Sequence, residues 1–165
     1  MFEQASWLNQ PTKWTLEDGT LRVISDDKTD FWRKTSYGFI RDSGHFFGVA
    51  TDGDFTAQVH VTGHYATLYD QAGLMVRIDE EHWIKCGVEF SDGQLWLSTV
   101  LTAGKSDWAV SVAPAMPNGF WLRVTASQGV IRVQYSVDGK LWPLLRLAPA
   151  GGAVLRLEPG HAQPR

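Results

Sequence analysis

The residue types best suited to chemistry are concentrated between residues 71 and 102. Glu89 could act as a general acid or base, and Lys85, on the same segment, could act as its electrostatic partner. Gln71 and Ser98 add polar groups, and Trp96 adds a flat ring of the kind that stacks on a sugar. These residue types are typical of a polar binding site, but they form one only if the elements that carry them bring them together.

Three alternating segments place these residues on one face of a predicted sheet. In residues 72–78, 83–90 and 95–102, apolar side chains alternate with polar or small ones, so the two sets point to opposite faces. Residues 92–93 (DG) predict a two-residue hairpin, and residues 79–81 predict a three-residue loop. Directly opposed residues must share a face, so the turns also fix the register. Four rows are predicted to cross the three strands: Gln71–Glu89–Trp96, Gly73–Gly87–Ser98, Met75–Lys85–Val100 and Arg77–Trp83–Thr102.

The row that contains Gly73 and Gly87 predicts a low floor about one sugar wide between polar walls. Glycine weakens a strand, so two opposed glycines indicate that a ligand or another backbone approaches closely. The alternative is that a neighbouring loop, carrying an aromatic ring, packs into the gap. Lys85 and Glu89 are about 13 Å apart along their strand, which is too far for a direct salt bridge, so each needs another partner or a ligand.

The rest of the chain predicts an all-β protein. Short alternating segments are separated by Gly-containing turns throughout, which favours an antiparallel sandwich with little helix. Residues 1–147 are predicted to form one domain. Residues 148–165 are rich in small residues and predict a poorly ordered tail, with one short strand at 154–157. The further predicted strands are 21–25, 55–62, 120–126 and 130–137.

Composition narrows the functional classes. The chain has 165 residues, a formal net charge of -3 and 44% hydrophobic residues, which argues for a globular domain and against a nucleic-acid partner. No apolar run is long enough to span a membrane, and no secretory signal is visible. The single cysteine, Cys86, excludes an internal disulfide and suits a reducing compartment, so a cytoplasmic location is expected.

Several segments resemble an uncharacterised family of concanavalin-A-like domains, the "regulation of enolase" family. The resemblance covers roughly residues 1–147 and implies a jelly roll of two curved antiparallel sheets with a concave face, without implying a reaction. The segments that carry it are 31–35 (FWRKT), 44–47 (GHFF), 53–55 (GDF), 69–74 (YDQAGL), 83–89 (WIKCGVE), 97–100 (LSTV) and 106–108 (SDW).

The resemblance ends after residues 142–144 (WPL). Family members continue with a Gly-Pro segment and a final strand rich in Phe, whereas this chain does not. Either the last strand is lost, or residues 154–157 replace it. A lost strand would leave an open sheet edge, so some self-association into a homo-oligomer is expected.

The first functional hypothesis is a non-catalytic module that binds a carbohydrate or another small molecule across the concave sheet. Trp83, Trp96 or Trp108 would stack on the ligand, while the polar residues of the rows would fix hydroxyls or an acidic group. His45, beside two phenylalanines, either reaches the groove or is a hydrogen-bonded structural histidine. The candidate ligand-binding residues are Gln71, Gly73, Arg77, Trp83, Lys85, Gly87, Glu89, Trp96, Ser98, Trp108 and His45.

Two alternatives remain. The first is an enzyme acting on a sugar or polyol, with Glu89 as acid/base and Lys85 beside it, although hydrolases of this fold commonly carry a Glu-x-Asp-x-x-Glu strand that is missing here. The second is a regulatory domain that binds a protein partner. No cofactor or metal is expected, because the histidines lack a zinc spacing and the aspartates at 26, 27, 30, 52 and 54 suit turn capping better than calcium.

Overall fold

The computed structural model describes residues 2–150, and nearly all regular structure in that part is β-strand. A single 3-10 turn, Phe2–Gln4, precedes the strands, and no α-helix occurs in the described part. None of the described residues therefore forms a helix with the length and apolar character that a bilayer crossing needs. The strands are β1 (Ser6–Leu8), β2 (Lys13–Glu17), β3 (Thr20–Ile24), β4 (Phe31–Arg33), β5 (Ile40–Asp42), β6 (Phe46–Gly48), β7 (Phe55–Val61), β8 (Gln71–Arg77), β9 (His82–Ser91), β10 (Gln94–Ala103), β11 (Lys105–Val112), β12 (Phe120–Ser127), β13 (Val130–Ser136) and β14 (Leu144–Pro149).

Two four-stranded antiparallel sheets pack face to face. The front sheet has the order β11-β10-β9-β8, and the back sheet has the order β14-β13-β12-β7. Alternating apolar residues from both sheets form the core between them, including Ile84 and Val88 from the front and Leu122 and Val133 from the back. This architecture confirms the predicted all-β sandwich.

The predicted register of the front sheet is confirmed in every row. Gln71 lies opposite Glu89, which lies opposite Trp96, and the other three rows follow in step. The turn works as predicted because Asp92 and Gly93 both adopt left-handed conformations, with φ of 52° and 76°. Strand β11, which was not predicted, extends each row by one residue and places Trp108 opposite Val100.

The two opposed glycines allow β8 and β9 to approach each other closely. A Cβ added to Gly73 would lie 1.9 Å from the carbonyl oxygen of Cys86, and one added to Gly87 would lie 2.0 Å from that of Ala72. The two reasons proposed for these glycines were close approach of a ligand and close approach of another backbone. The structure shows the second, because the backbone of the neighbouring strand fills the space. The glycines alone no longer argue for a ligand.

Short N-terminal strands cover one end of the outer face of the front sheet. Phe31 and Trp32 of β4 pack against Trp83 and Val100, forming a second apolar cluster in which all four are buried. Trp83 and Val100 were predicted to line a groove. The structure corrects this, because both are buried in the second cluster. Three-residue strands are too short to show alternation, which is why β1, β4, β5 and β6 were not predicted.

The last strand of the described residues is β14. Leu144–Pro149 pairs with β13 at the edge of the back sheet, and Ala148 and Ala150 are buried in the core. The sandwich thus extends beyond the predicted boundary at residue 147, and self-association through an open sheet edge stays a prediction. The strand predicted at 154–157 lies outside the described residues.

Candidate functional site

Glu89 is the centre of the candidate site. It lies in the middle of β9, on the outer face of the front sheet, and only 4% of its surface is exposed. Its Oε2 accepts a hydrogen bond from Ser98 Oγ at 3.3 Å. Its Oε1 is buried and has no hydrogen-bond partner among residues 2–150. A buried carboxylate oxygen without a partner is energetically unfavourable, so this atom requires an explanation.

Ser98 connects Glu89 to an exposed tryptophan. The indole Nε1–H of Trp108 donates to Ser98 Oγ at 3.1 Å, so the hydroxyl accepts one hydrogen bond and donates another. Trp108 packs edge-on against Trp32, with ring centroids 6.3 Å apart. It remains 38% exposed, which is unusual for so large a ring. The second cluster therefore positions a tryptophan beside the glutamate.

The environment of Glu89 changes its acidity. Burial is the largest effect and raises the pKa of its carboxyl above the ordinary value, and the negative charge of Asp30 adds to the increase. The positive charge of Lys85 and the hydrogen bond from Ser98 oppose the rise without cancelling it. Glu89 thus keeps its proton to a higher pH than an exposed glutamate.

Lys85 is neutralised by Asp30. Its Nζ donates to Asp30 Oδ1 at 2.7 Å and to the carbonyl oxygen of Phe31 at 2.9 Å. Gln71 Nε2 donates to the same carboxylate oxygen at 3.1 Å. Asp30 precedes β4, so the N-terminal cover supplies the counter-ion of the front-sheet lysine. The sequence analysis weighed this aspartate as a turn cap or a calcium ligand and missed its partner, because nothing local indicates a contact 55 residues away.

Two tyrosines that the sequence analysis did not select lie close to this network. The hydroxyls of Tyr37 and Tyr69 are 3.5 Å apart, and the side chains are 51% and 45% exposed. The pKa of Tyr69 is raised first by its contact with Tyr37, then by burial, and also by the charge of Glu89. Both lie in tight loops, since Ser36 and Tyr69 have φ of 64° and 70°. The sequence signal that could have identified them is an aromatic residue outside the predicted strands.

Several predicted site residues do meet around Glu89. Trp96 lies opposite Glu89 across the β9–β10 ladder, is half-buried, and donates through Nε1 to the carbonyl oxygen of Ser91 at 3.0 Å. The members of the predicted set joined to Glu89 by the row or by the interactions above are Gln71, Lys85, Trp96, Ser98 and Trp108.

Two predicted residues belong to the second cluster instead. Trp83 is 3% exposed and packs against Phe31, so it has no face open for stacking. Arg77 makes two hydrogen bonds to Asp42, at 2.8 and 2.9 Å, and lies 5.5 Å from the centre of the Phe31 ring. Neither is available to hold a ligand as predicted, because the N-terminal strands already occupy both.

His45 is a structural histidine. Its Nδ1 lies 2.6 Å from the carbonyl oxygen of Asn9, and its Nε2 accepts from the backbone N–H of Asp26 at 3.0 Å. Both ring nitrogens are therefore used to tie N-terminal loops together, which matches the second of the two predicted roles. No group of three or more metal-binding side chains occurs within the described residues. Asp54 instead accepts from Ser127 Oγ and the backbone N–H of Gln128, as a turn cap does.

Comparison with known proteins identifies relatives. A protein of Saccharomyces cerevisiae called "Regulation of enolase protein 1" is 58% identical over 146 residues, which are 88% of this chain and 74% of that protein. "Uncharacterized protein AN7484" of Emericella nidulans is 31% identical over 72 residues, which are 41% of this chain and 36% of that protein.

A solved structure has the same fold. It is described as "the crystal structure of a functionally unknown protein from Saccharomyces cerevisiae", with a TM-score of 0.87 and 57% identity, covering 90% of this chain and 80% of that chain. Residues 7–160 also match the family described as "Protein of unknown function (DUF1349)". Since that match spans most of the sequence, the chain belongs to the DUF1349 family.

Proposed function

We propose that this protein binds a small ligand of carbohydrate type on the outer face of the front sheet, above Glu89. The observation that carries the proposal is the buried Oε1 of Glu89, which has no partner among residues 2–150. Leaving such a group unsatisfied costs about 1–3 kcal/mol. A hydroxyl donated by a ligand would remove that penalty, and a hydrogen bond to an ionised carboxylate is among the stronger kinds.

The aromatic residues around Glu89 supply the second requirement for binding a sugar. Trp108, Tyr37 and Tyr69 each expose more than a third of their surface, and Trp96 stands next to Glu89 in the sheet. A sugar ring has an apolar face that packs on aromatic rings, and its hydroxyls then reach the polar groups beside them. The combination favours a polyhydroxylated ring over a purely apolar ligand.

Titration by NMR tests this proposal. A panel of neutral monosaccharides and polyols would be added to ¹⁵N-labelled protein, with the indole N–H signal of Trp108 as the local reporter. Binding in the millimolar range, equivalent to about 4 kcal/mol, is expected for a single ring. Trp108→Ala should abolish the response. Trp142→Ala is the matched control, since Trp142 stacks on Arg123 of the back sheet. A panel that leaves the signals of Glu89, Ser98 and Trp108 unmoved would refute the proposal.

A catalytic role is a second candidate, favoured by the acidity of Glu89. Its raised pKa and the nearby second carboxylate of Asp30 are features that acid–base sites share. If Glu89 transfers a proton to a sugar or polyol, Glu89→Gln should abolish product formation while leaving ligand affinity nearly unchanged. Equal turnover by the variant would exclude this role.

A regulatory role is favoured by the relative named for enolase regulation, which is 58% identical. In that case this chain would contact a protein partner through the same face, and Trp96→Ala should weaken capture of that partner. Enolase activity measured with and without the purified protein provides the direct test. No change in activity at any ratio would exclude enolase as the target.

A further inference from the structure

Among residues 2–150, the two cations that β8 and β9 place on the outer face of the front sheet are paired with carboxylates, whereas Glu89 has no counter-ion at hydrogen-bonding distance. Lys85 is paired with Asp30 at 2.7 Å, and Arg77 is paired with Asp42 at 2.8 Å. Both cations were expected to help fix hydroxyls or an acidic group on the ligand, but each is only 13–14% exposed in its side chain and is held by its own carboxylate. Glu89 has no such counter-ion at hydrogen-bonding distance among the described residues, since its one hydrogen bond comes from a neutral hydroxyl.

Next to Glu89, the donor groups are already used, whereas one acceptor has no partner among residues 2–150. The hydroxyl proton of Ser98 is used on Glu89 Oε2, and the indole proton of Trp108 is used on Ser98. The group left without a partner, Glu89 Oε1, is an acceptor when the carboxyl is ionised. When the carboxyl is ionised, a ligand must therefore bring donors, and it meets negative charge when it does.

Negative charge also acts on Tyr69, beside the site. The charges that act on the Tyr69 hydroxyl, beyond its contact with Tyr37, are those of Glu89 and Asp92, and both are negative. A carboxylate or phosphate on a ligand would bring further negative charge and acceptors only. Such repulsion opposes the binding of an anionic ligand, most strongly at low salt, so it distinguishes between ligands that are otherwise alike.

We infer that the site selects neutral polyhydroxylated rings and excludes the same rings when they carry a carboxylate or a phosphate. The inference rests on the proposed function, because it names the class of ligand that the same site takes. Its basis is the pairing of both cations on this face and the lone unpartnered acceptor beside Trp108.

Matched pairs of sugars test the inference. Glucose and glucuronate, and galactose and galacturonate, share a ring and differ mainly in charge, so their affinities can be compared by the same NMR titration. At neutral pH and low salt the neutral sugar of the pair that binds should bind at least about tenfold more tightly than its acid. Added salt should reduce that ratio, since the discrimination is electrostatic.

Asp30→Asn tests whether the pairing of Lys85 causes the discrimination against sugar acids. The amide keeps an acceptor for Lys85 but removes the charge that neutralises it, so affinity for the sugar acid should rise by about tenfold while affinity for the neutral sugar changes little. Asp42→Asn is the matched control, because it frees Arg77 within the second cluster. If Asp30→Asn only disturbed the structure, it would lower the affinity for the neutral sugar and for the sugar acid alike.

The outcomes separate the two proposals. Preference for the neutral sugar, narrowed by Asp30→Asn, supports the inference. Equal or tighter binding of the acid overturns it and leaves the proposed function standing. Failure of every sugar and every sugar acid to bind overturns both.

Discussion

At the scale of single residues, Glu89 links protonation to stability. Folding raises the pKa of Glu89, so the protonated carboxyl contributes to the stability of the folded protein. This contribution is complete below the ordinary pKa of glutamate and is lost as pH rises through the folded-state value. Glu89→Gln removes the buried charge and keeps the shape. We expect it to increase the free energy of unfolding at pH 8 by about 1–3 kcal/mol, with the gain vanishing near pH 4.

Urea unfolding at several pH values measures this effect. Glu17→Gln is the control, because Glu17 is exposed on β2 and should give no such trend. A gain for Glu89→Gln that is independent of pH would show that folding does not shift the pKa of the Glu89 carboxyl.

Cys86 lies on the opposite face of the same strand, inside the sandwich. Burial raises the pKa of its thiol to about 12, and its Sγ donates to the carbonyl oxygen of Leu74. The thiolate is the reactive form, so iodoacetamide at pH 8 should leave the folded protein unlabelled and label it rapidly in urea. Mass spectrometry distinguishes the two results, and labelling of the folded protein at the rate of a free thiol would contradict the buried position.

At the scale of elements, the close approach of β8 and β9 predicts that replacing a glycine by alanine costs more stability in this ladder than in a turn. Gly87→Ala would press a methyl group against backbone atoms of β8, and we expect a loss of about 3 kcal/mol. Gly53→Ala meets nothing within 4 Å and suffers only from its φ of 70°, which costs about 1–2 kcal/mol. Thermal unfolding of the two variants compares them, and equal losses would mean that the ladder can widen to accept the methyl group.

Strands β8, β9 and β10 of the front sheet could be predicted because the turns between them determine their register. The Asp92-Gly93 turn and the loop before β9 fix which residues oppose each other, and alternation then fixes the faces. The three-residue strands β1, β4, β5 and β6 lacked both signals. What covers Trp83 depends on Phe31 and Trp32, more than 50 residues earlier, and no local pattern on β9 reports such a contact.

At the scale of the whole molecule, the N-terminal strands and the sandwich form one cooperative structure. The second cluster joins β4 to the front sheet, and the front sheet shares its other face with the back sheet. We therefore expect a single unfolding transition in which near-UV and far-UV circular dichroism coincide. Phe31→Ala should lower stability by about 3–5 kcal/mol and move both signals together. Loss of the near-UV signal at lower urea would show that the cover unfolds separately.

The position of that cover also limits the shape of what can be held. The second cluster fills the outer face where Trp83 and Val100 lie, while Glu89 and Trp96 occupy the end beyond it. A long polysaccharide running parallel to the strands would collide with Phe31 and Trp32. Under the proposed function, a free monomer or the terminal unit of a chain entering from one side fits against the glutamate, so the length of a carbohydrate as well as its charge would decide whether it binds.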